Sequence, residues 1–153
     1  MDPMLAEYRA LLASVELRPP TLPIYSTRTG RLAAGELTDP EYWVRQAREA
    51  VRFGEAVAAA VADGVDAFVE CGPAGVLCGL VPGCLPAGVT VPAIASLRGA
   101  GEEAEALRRA LAAVHVAGVA IDRGALAPGR GRVVGLPTIR WQRVRHWREA
   151  PAP

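Results

Sequence analysis

The 153-residue sequence lacks the segments that would place a protein in a membrane or send it out of the cell. None of its apolar runs approaches the roughly 20 residues that a membrane-spanning helix needs. Its first residues carry no basic group ahead of an apolar stretch, so they do not resemble a secretory signal. We therefore expect a cytoplasmic protein with no membrane partner.

Cysteine and histidine are too scarce and too scattered for a zinc site. The chain has Cys71, Cys78 and Cys84, no pair of which is spaced C-x-x-C, and its two histidines, His115 and His146, are isolated. A structural zinc ion takes four such ligands, usually at short spacing. We expect neither a metal nor a cofactor, and we interpret the cysteines as small buried apolar residues.

Net charge is also low, at +1, which gives the chain no global attraction to nucleic acid or to acidic membranes. The one basic stretch is the tail, where several arginines alternate with Trp141 and Trp147. Arginine interleaved with aromatic residues can bind single strands, but the tail contains no recognised nucleic-acid motif. The same side chains can pack along a protein surface, so we expect a protein partner and no nucleic acid.

Aromatic residues make up only 5% of the chain, whereas 51% of it is hydrophobic and dominated by Ala, Val and Leu. Apolar periodicity and turn residues predict strands that alternate with helices, which is typical of an α/β fold with a mostly parallel sheet. Asp39 followed by Pro40 predicts a helix start, and Gly64 a helix end. The predicted strands are 22–27, 65–70 and 89–94, and the predicted helices are 4–15, 41–62 with a break near 49–52, 74–81 and 102–117.

No serine of the chain fits a nucleophile elbow. Acyl transfer by serine uses a sharp strand–turn–helix motif, G-x-S-x-G, with a histidine base nearby. Ser14, Ser26 and Ser96 all lack glycines at that spacing. We interpret His115, beside a predicted inward stripe of the last helix (Ala104, Leu107, Leu111 and Val114), as a partly buried, hydrogen-bonded residue and His146 as a packing residue.

A glycine-rich turn at residues 72–75 could cradle a phosphate, because it follows a predicted strand and precedes a helix. It lacks the Walker lysine and the full G-x-G-x-x-G spacing. A tight strand-to-helix turn is the simpler interpretation.

Five strings, in order along nearly the whole chain, resemble the acyltransferase domains of modular polyketide synthases. They are PIYSTRTG at 23–30, YWVRQAREAVRF at 42–53, residues 63–65 and 68–77 with residues 96–98, HVAGV at 115–119, and LPTIRWQRVRHW at 136–147. The last string is similar to the linker that follows such domains. The chain departs from the family pattern at Arg28, Gln46, Ala50 and Arg123, where the family usually has Val, Asn, Pro and Trp.

The resemblance implies that these residues form the C-terminal part of a hydrolase-like large subdomain over 1–120, followed by a linker over 121–153. The family's serine, in G-H-S-x-G, and its histidine base would lie N-terminal to the matched region, as would its small ferredoxin-like subdomain. The segment 1–4 is similar to the residues that follow that histidine. Sheet edges and an apolar face would then be left open, so we expect possible self-association.

Two residues of the chain are implied to lie at the acyl site. In the family, a main-chain carbonyl at a helix end orients the base, and Asp63 occupies that position here. Gln46 replaces an asparagine and is expected to change a hydrogen bond near the acyl group. Trp141 and Trp147 are the expected docking anchors, because the family linker wraps onto the ketosynthase.

Three hypotheses about function follow from this sequence. The first is a portion of a malonyl-type acyl-CoA:acyl carrier protein transacylase that is inactive without a complementary N-terminal part. The second is a non-catalytic module that docks on a ketosynthase or on a carrier protein. The third is a truncated gene remnant.

Overall fold

The computed structural model describes residues 2–99, 101, 103–122, 124, 134–144 and 146–147. Contacts divide the chain into one unit over Met1–Ile121 and another over Asp122–Pro153. In the second unit, the described residues from 134 onward have no regular secondary structure. Everything below concerns the first unit unless the tail is named.

The first unit begins with a helix that packs on the second. Helix α1 spans Leu5–Ala13 after a 3₁₀ turn at Asp2–Met4. Helix α2 spans Pro40–Gln46, and an ion pair between Arg9 and Glu41 joins the two helices. The predicted start of α2 is confirmed: Asp39 is its N-cap, the Glu41 N–H donates to Asp39 Oδ1 over 2.9 Å, and Pro40 stands at the first helical position.

A hairpin replaces the first strand that the sequence predicted. Strand β1 is only Tyr25–Ser26, and it pairs antiparallel with β2 at Arg31–Leu32, which was not predicted. Gly30 makes the turn possible, because its φ of 72° is one that side chains disfavour and a Cβ there would lie 2.7 Å from Glu55 Cβ. Proline at positions 19, 20 and 23 explains the short strand, since it removes backbone donors.

The long helix predicted over 41–62 is two helices. After α2 ends, α3 spans Phe53–Ala62, so the expected break is real but wide enough to separate the two. The Arg52 N–H donates to Thr27 O over 2.6 Å, which ties the break to the hairpin. Gly64, with φ of 96°, ends α3: Gly64 N–H donates to Val61 O and Val65 N–H to Ala60 O, the Schellman pattern.

A βαβ unit forms the parallel part of the fold. Strand β3 at Phe68–Glu70 runs into α4 at Val76–Cys84 and then β4 at Ala93–Ala95, which is parallel to β3. Both strands are shorter than predicted, and α4 continues through Pro82, because a proline in the last turn removes a single hydrogen bond. Within the described residues, β3 and β4 form one two-stranded sheet, and the β1–β2 hairpin forms another.

Helix α5 spans Glu103–Val116 and packs on β4. Its inward side is centred on Ala110, which is buried, whereas Leu107 is 47% exposed. The predicted inward stripe is therefore wrong by a rotation of the helix, because Leu111 and Val114 are only partly covered and Ala104 is exposed. His115 is also exposed.

Candidate functional site

A buried pair of hydroxyls anchors the loop after β1. Ser26 is 3% exposed and Tyr42, on α2, is 5% exposed, and their hydroxyl oxygens are hydrogen-bonded to each other. Ser26 Oγ also accepts the N–H groups of Arg28 and Thr29 over 3.1 and 3.2 Å. This serine therefore serves to shape a turn, and it is not an exposed nucleophile.

Arg28 fills the position where the family pattern has an apolar residue. Its Nε lies 2.9 Å from Glu49 Oε2, an ion pair that is too bent for an aligned hydrogen bond. Its guanidinium also lies 5.4 Å from the centre of the Tyr42 ring, within range of a cation–π contact. Arg28 thus holds the loop against α2 through its charge and its flat face.

Gln46, the predicted acyl-site residue, stands at the last position of α2. Its Nε2 donates to Thr27 Oγ1 over 2.9 Å. Its Oε1 is buried and accepts no hydrogen bond within the described part of the chain. Thr29 Oγ1 is also buried, and it has no hydrogen-bond partner among the described residues. A buried amide oxygen without a hydrogen bond is costly to the folded state.

Asp63, the other predicted site residue, caps the C-terminus of α3. Tyr25 Oη donates to Asp63 Oδ2 over 2.9 Å, and this hydrogen bond, with burial and the carboxylate charge, raises the pKa of the Tyr25 phenol. The Schellman bonds use the carbonyls of Ala60 and Val61. Among the described residues, no N–H donates to the Asp63 carbonyl, which therefore remains open.

The β1–β2 hairpin contacts both of these predicted residues. Tyr25 bonds the end of α3 at Asp63, and Thr27, two residues later, bonds the end of α2 at Gln46. Tyr25 was not singled out from the sequence. Its partner could not be read from spacing, because 38 residues separate Tyr25 from Asp63.

The glycine-rich turn does not present a vacant phosphate cradle. The Glu70 carboxylate accepts the Cys78 N–H over 2.8 Å at the start of α4. This hydrogen bond, together with those from the Leu77 and Val76 backbone, lowers the pKa of Glu70. Burial raises the pKa of the Cys78 thiol, and the side-chain hydrogen bond with Glu70 is the second cause of this increase. The chain's own carboxylate thus occupies the positive end of the helix, which supports the tight-turn interpretation.

The third serine also has a structural partner. Ser96 follows β4, and its Oγ lies 3.2 Å from the Gly72 N–H, which donates to it. Its own N–H donates to Glu70 O over 2.9 Å. These bonds tie the two loops at the ends of the parallel strands, and they give Ser96 no base.

The cysteines are free, and the prediction that they are buried is wrong for Cys71, which is exposed; Cys78 and Cys84 are partly exposed. Over the part of the chain that the structure describes, no three His, Cys, Asp or Glu side chains are placed to bind a metal ion. No helix within those residues is both long and apolar enough to cross a bilayer.

In the tail, the two predicted docking anchors lie in segments without regular structure. Trp141 is 86% exposed and Trp147 is 73% exposed, and His146 is exposed too.

A cleft of about 490 Å³ lies between β4 and α5, with Arg98, Glu105 and Arg109 among its lining residues. Neither Gln46 nor Asp63 lines that cleft.

The β3–α4–β4 unit has parallel strands, and helix α5 packs on β4. This arrangement is typical of an α/β domain. A family model described as "Acyl transferase domain" matches residues 1–121. The chain therefore belongs to the acyltransferase domain family.

Its relatives are polyketide synthases. Polyketide synthase GfsB of Streptomyces halstedii is 44% identical over 154 residues, which cover 99% of this chain and 3% of that protein. Mycoketide-CoA synthase of Mycobacterium tuberculosis is 37% identical over 147 residues, or 96% of this chain and 4% of that protein. The chain thus spans a small fraction of the multidomain proteins that it matches.

Two solved structures show the same fold. The acyltransferase domain from the second module of the salinomycin polyketide synthase is 33% identical, with a TM-score of 0.74 over 82% of this chain and 29% of that one. The acyltransferase domain of SpnD, in complex with 2-(pent-4-yn-1-yl)malonyl, is 30% identical, with a TM-score of 0.70 over 76% of this chain and 29% of that one. The chain is similar to less than a third of each domain.

Proposed function

We propose that this chain supplies the C-terminal part of a malonyl-type acyl-CoA:acyl carrier protein transacylase of polyketide biosynthesis. The observation that carries the proposal is the acyltransferase match over residues 1–121 combined with coverage of only 29% of a solved domain. The malonyl derivative bound to the SpnD domain supports the substrate class. The serine and the histidine would come from the part of the domain outside these 153 residues.

In this reaction the serine oxygen attacks the thioester carbonyl of malonyl-CoA while the histidine takes its proton, and coenzyme A leaves as the thiol. The phosphopantetheine thiol of the carrier protein then attacks the serine ester and regenerates the serine. The residues of this chain would position those groups, and they would not form a covalent bond to the acyl unit.

The experiment compares this chain alone, the complementary acyltransferase part alone, and both together, each incubated with malonyl-CoA. Intact mass should show a malonyl adduct only when both parts are present, and the adduct should lie on the complementary part. An adduct on this chain by itself would overturn the proposal. Absence of loading by the two parts together would also count against it.

We propose that Asp63 acts through its main-chain carbonyl, which is open at the end of α3, as the acceptor that orients the histidine base. The carbonyls at the end of α2, at Gln46, are the competing acceptor, since that helix end also lies against the hairpin. Labelling either carbonyl with ¹³C and titrating the histidine in the combined enzyme separates the two. A shift at Gln46 and none at Asp63 would move the role to α2.

For Gln46 itself, the unpaired buried Oε1 supports a position at the acyl site. Gln46→Glu exchanges the amide for a carboxylate and should slow loading by about tenfold or more by placing a negative charge near the malonyl carboxylate. Arg45→Gln, one position earlier and exposed, lowers the net charge by the same one unit and is the charge-matched control. Equal effects of the two variants would remove Gln46 from the site.

A second function, docking on a ketosynthase or a carrier protein, is favoured by the exposure of Trp141 and Trp147. Truncating an aromatic anchor typically costs a binding interface about 2 kcal/mol or more. Trp141→Ala and Trp147→Ala should therefore each weaken binding at least about thirtyfold. Val116→Ala, which changes an equally exposed side chain on α5, should not. Binding that both tryptophan variants retain in full would exclude this docking mode.

A further inference from the structure

The loop at residues 26–30, which leads out of β1, meets the end of α2 through buried polar groups that are incompletely paired. Within the described residues, the buried side-chain nitrogen and oxygen atoms without a hydrogen-bond partner are Arg28 Nε, Thr29 Oγ1 and Gln46 Oε1. Buried polar atoms are nearly always paired, so a group of unpaired ones needs an explanation. Two of these atoms belong to the loop, and the third belongs to the helix end that the loop contacts through Thr27.

Arg28 holds this loop against α2 and the residues that follow it. Its side chain is 19% exposed, its Nε lies 2.9 Å from Glu49 Oε2, and its guanidinium lies 5.4 Å from the centre of the Tyr42 ring. The Glu49 N–H in turn donates to Arg45 O over 2.8 Å, which ties the carboxylate-bearing residue to the end of the helix. The arginine therefore contacts residues on both sides of Gln46 in the sequence.

Thr27 carries the position of the loop to Gln46. It is adjacent to Arg28, and its Oγ1 accepts a hydrogen bond from Gln46 Nε2 over 2.9 Å. Because Nε2 and Oε1 belong to one planar amide, a bond that fixes the nitrogen also fixes the direction of the oxygen. Arg28 and Gln46 are two of the four positions at which the chain departs from the family pattern, and the structure links them through a single residue.

We propose that Arg28 is a positioning residue for acyl loading. It fixes the 26–30 loop, the loop keeps the Gln46 amide bonded to Thr27, and Oε1 is thereby left free for a hydrogen-bond donor at the acyl site. Arg28 itself touches neither the acyl unit nor the reacting atoms. The inference rests on the proposed function and on the place of Gln46 at that site.

Nuclear magnetic resonance of the Gln46 side-chain amide gives the direct test. Gln46 and Gln142 are the glutamines of the chain, so selective ¹⁵N-glutamine labelling gives one probe in the contact and one exposed reference. Arg28→Met keeps an unbranched side chain but removes the charge, and it should move the Gln46 amide resonance toward that of Gln142. Arg52→Met removes an arginine whose side chain is 54% exposed, and it should move neither resonance.

A second variant tests the same contact from its exposed side. The Glu49 side chain is 47% exposed, so Glu49→Ala keeps the buried packing even if Arg28→Met does not fold. It removes the carboxylate that holds the guanidinium. The Gln46 resonance should therefore move in the same direction as in Arg28→Met.

Loading kinetics test whether Arg28 acts through Gln46. The enzyme is a joined polypeptide in which the preceding part of the salinomycin second-module acyltransferase domain is fused ahead of this chain. Arg28→Met and Gln46→Ala should each lower the loading rate about tenfold at saturating malonyl-CoA, because misplacing a group at the reacting centre slows the chemical step. The double variant should load within about twofold of Gln46→Ala, since no amide is left to position. Arg52→Met should load within about twofold of the unaltered enzyme.

The two readouts separate this inference from the proposed function. Loading with a moved Gln46 resonance and a double variant no slower than Gln46→Ala supports both. Three results overturn the positioning role alone: loading that Arg28→Met does not slow, single losses that multiply to about a hundredfold in the double variant, or a Gln46 resonance that neither Arg28→Met nor Glu49→Ala moves. No loading by the unaltered joined chain contradicts the transacylase itself, and the positioning role falls with it.

Discussion

Two regions of the first unit differ in how fully they bury their apolar side chains. The hairpin region, residues 25–62, contains most of the buried residues and is held by side-chain bonds between elements distant in sequence. The sheet region, residues 68–116, leaves several large apolar side chains exposed: Val69, Val76, Leu77, Leu80 and Leu107. The first region therefore packs around more buried residues of its own, whereas the second presents more large apolar side chains to solvent.

The largest expected effect sharpens this contrast with one substitution in each region. Val57 on α3 is 4% exposed, so Val57→Asp would bury an unpaired carboxylate and should cost about 4 kcal/mol or more. Val69 on β3 is 49% exposed, so Val69→Asp should cost less than about 1 kcal/mol. Urea unfolding measures both free energies, and similar losses would erase the distinction between the regions.

The next prediction tests whether the sheet region, despite its exposed apolar side chains, also contains a tightly packed contact. A Cβ on Gly75 would lie 2.7 Å from Ala95 Cβ, although the backbone there is not strained. Gly75→Ala should therefore lower the free energy of unfolding by about 1–3 kcal/mol through overpacking.

Its control is the pair Gly75→Ala with Ala95→Gly, which moves the methyl group from strand to helix start. If the clash is the cause, the double variant should be more stable than the sum of the single losses predicts. Strict additivity would show that the helix and the strand are free to separate at this point.

A smaller effect is expected from the hydroxyl pair of the hairpin region. Tyr42→Phe leaves Ser26 buried without its hydroxyl partner, but Ser26 Oγ still accepts two backbone N–H groups. We expect a loss of about 1 kcal/mol in thermal or urea unfolding. Tyr8→Phe on α1 should change nothing measurable, and a comparable loss there would mean that removing a tyrosine hydroxyl has this effect whether or not it is paired with Ser26.

The smallest effect should come from the carboxylate that caps α4. The pKa of Glu70 is lowered by folding, so its contribution is present above the unfolded pKa and is lost as the pH falls through the folded one. The stability difference between the unaltered chain and Glu70→Gln should thus be greatest near neutral pH and shrink below about pH 4, around the ordinary pKa of glutamate. A difference that does not change with pH would mean that the charge is not the cause.

Local signals in the sequence located the elements well where their cause was local. The cap at Asp39, proline at position 40 and glycine at position 64 are all used as predicted. A break in the helix over 41–62 was also expected, but its division into two separate helices, α2 and α3, was not. Whether a chain bends or starts a new helix depends on a contact elsewhere, here the hydrogen bond from Arg52 N–H to Thr27 O.

The predicted site shows the same division. A resemblance in sequence could select Gln46 and Asp63, but it could not show that Thr27 and Tyr25 hold them from one hairpin. The rotation of α5 was missed because the spacing of apolar residues does not show which of them face β4 and which face solvent. The spacing of Leu107 is typical of a core residue, but in the structure Leu107 is 47% exposed.

The sequence by itself determined the family of this chain, the alternation of helices with the parallel strands, the start of α2 at Asp39 and Pro40 and the end of α3 at Gly64. The start of α2 and the end of α3 depend on backbone chemistry within a few residues. Only the tertiary structure decided that a buried serine shapes a turn, that Glu70 occupies the start of α4, and that Tyr25 bonds Asp63. Those outcomes depend on which distant groups meet, and hydrogen bonding and burial are settled only when they do.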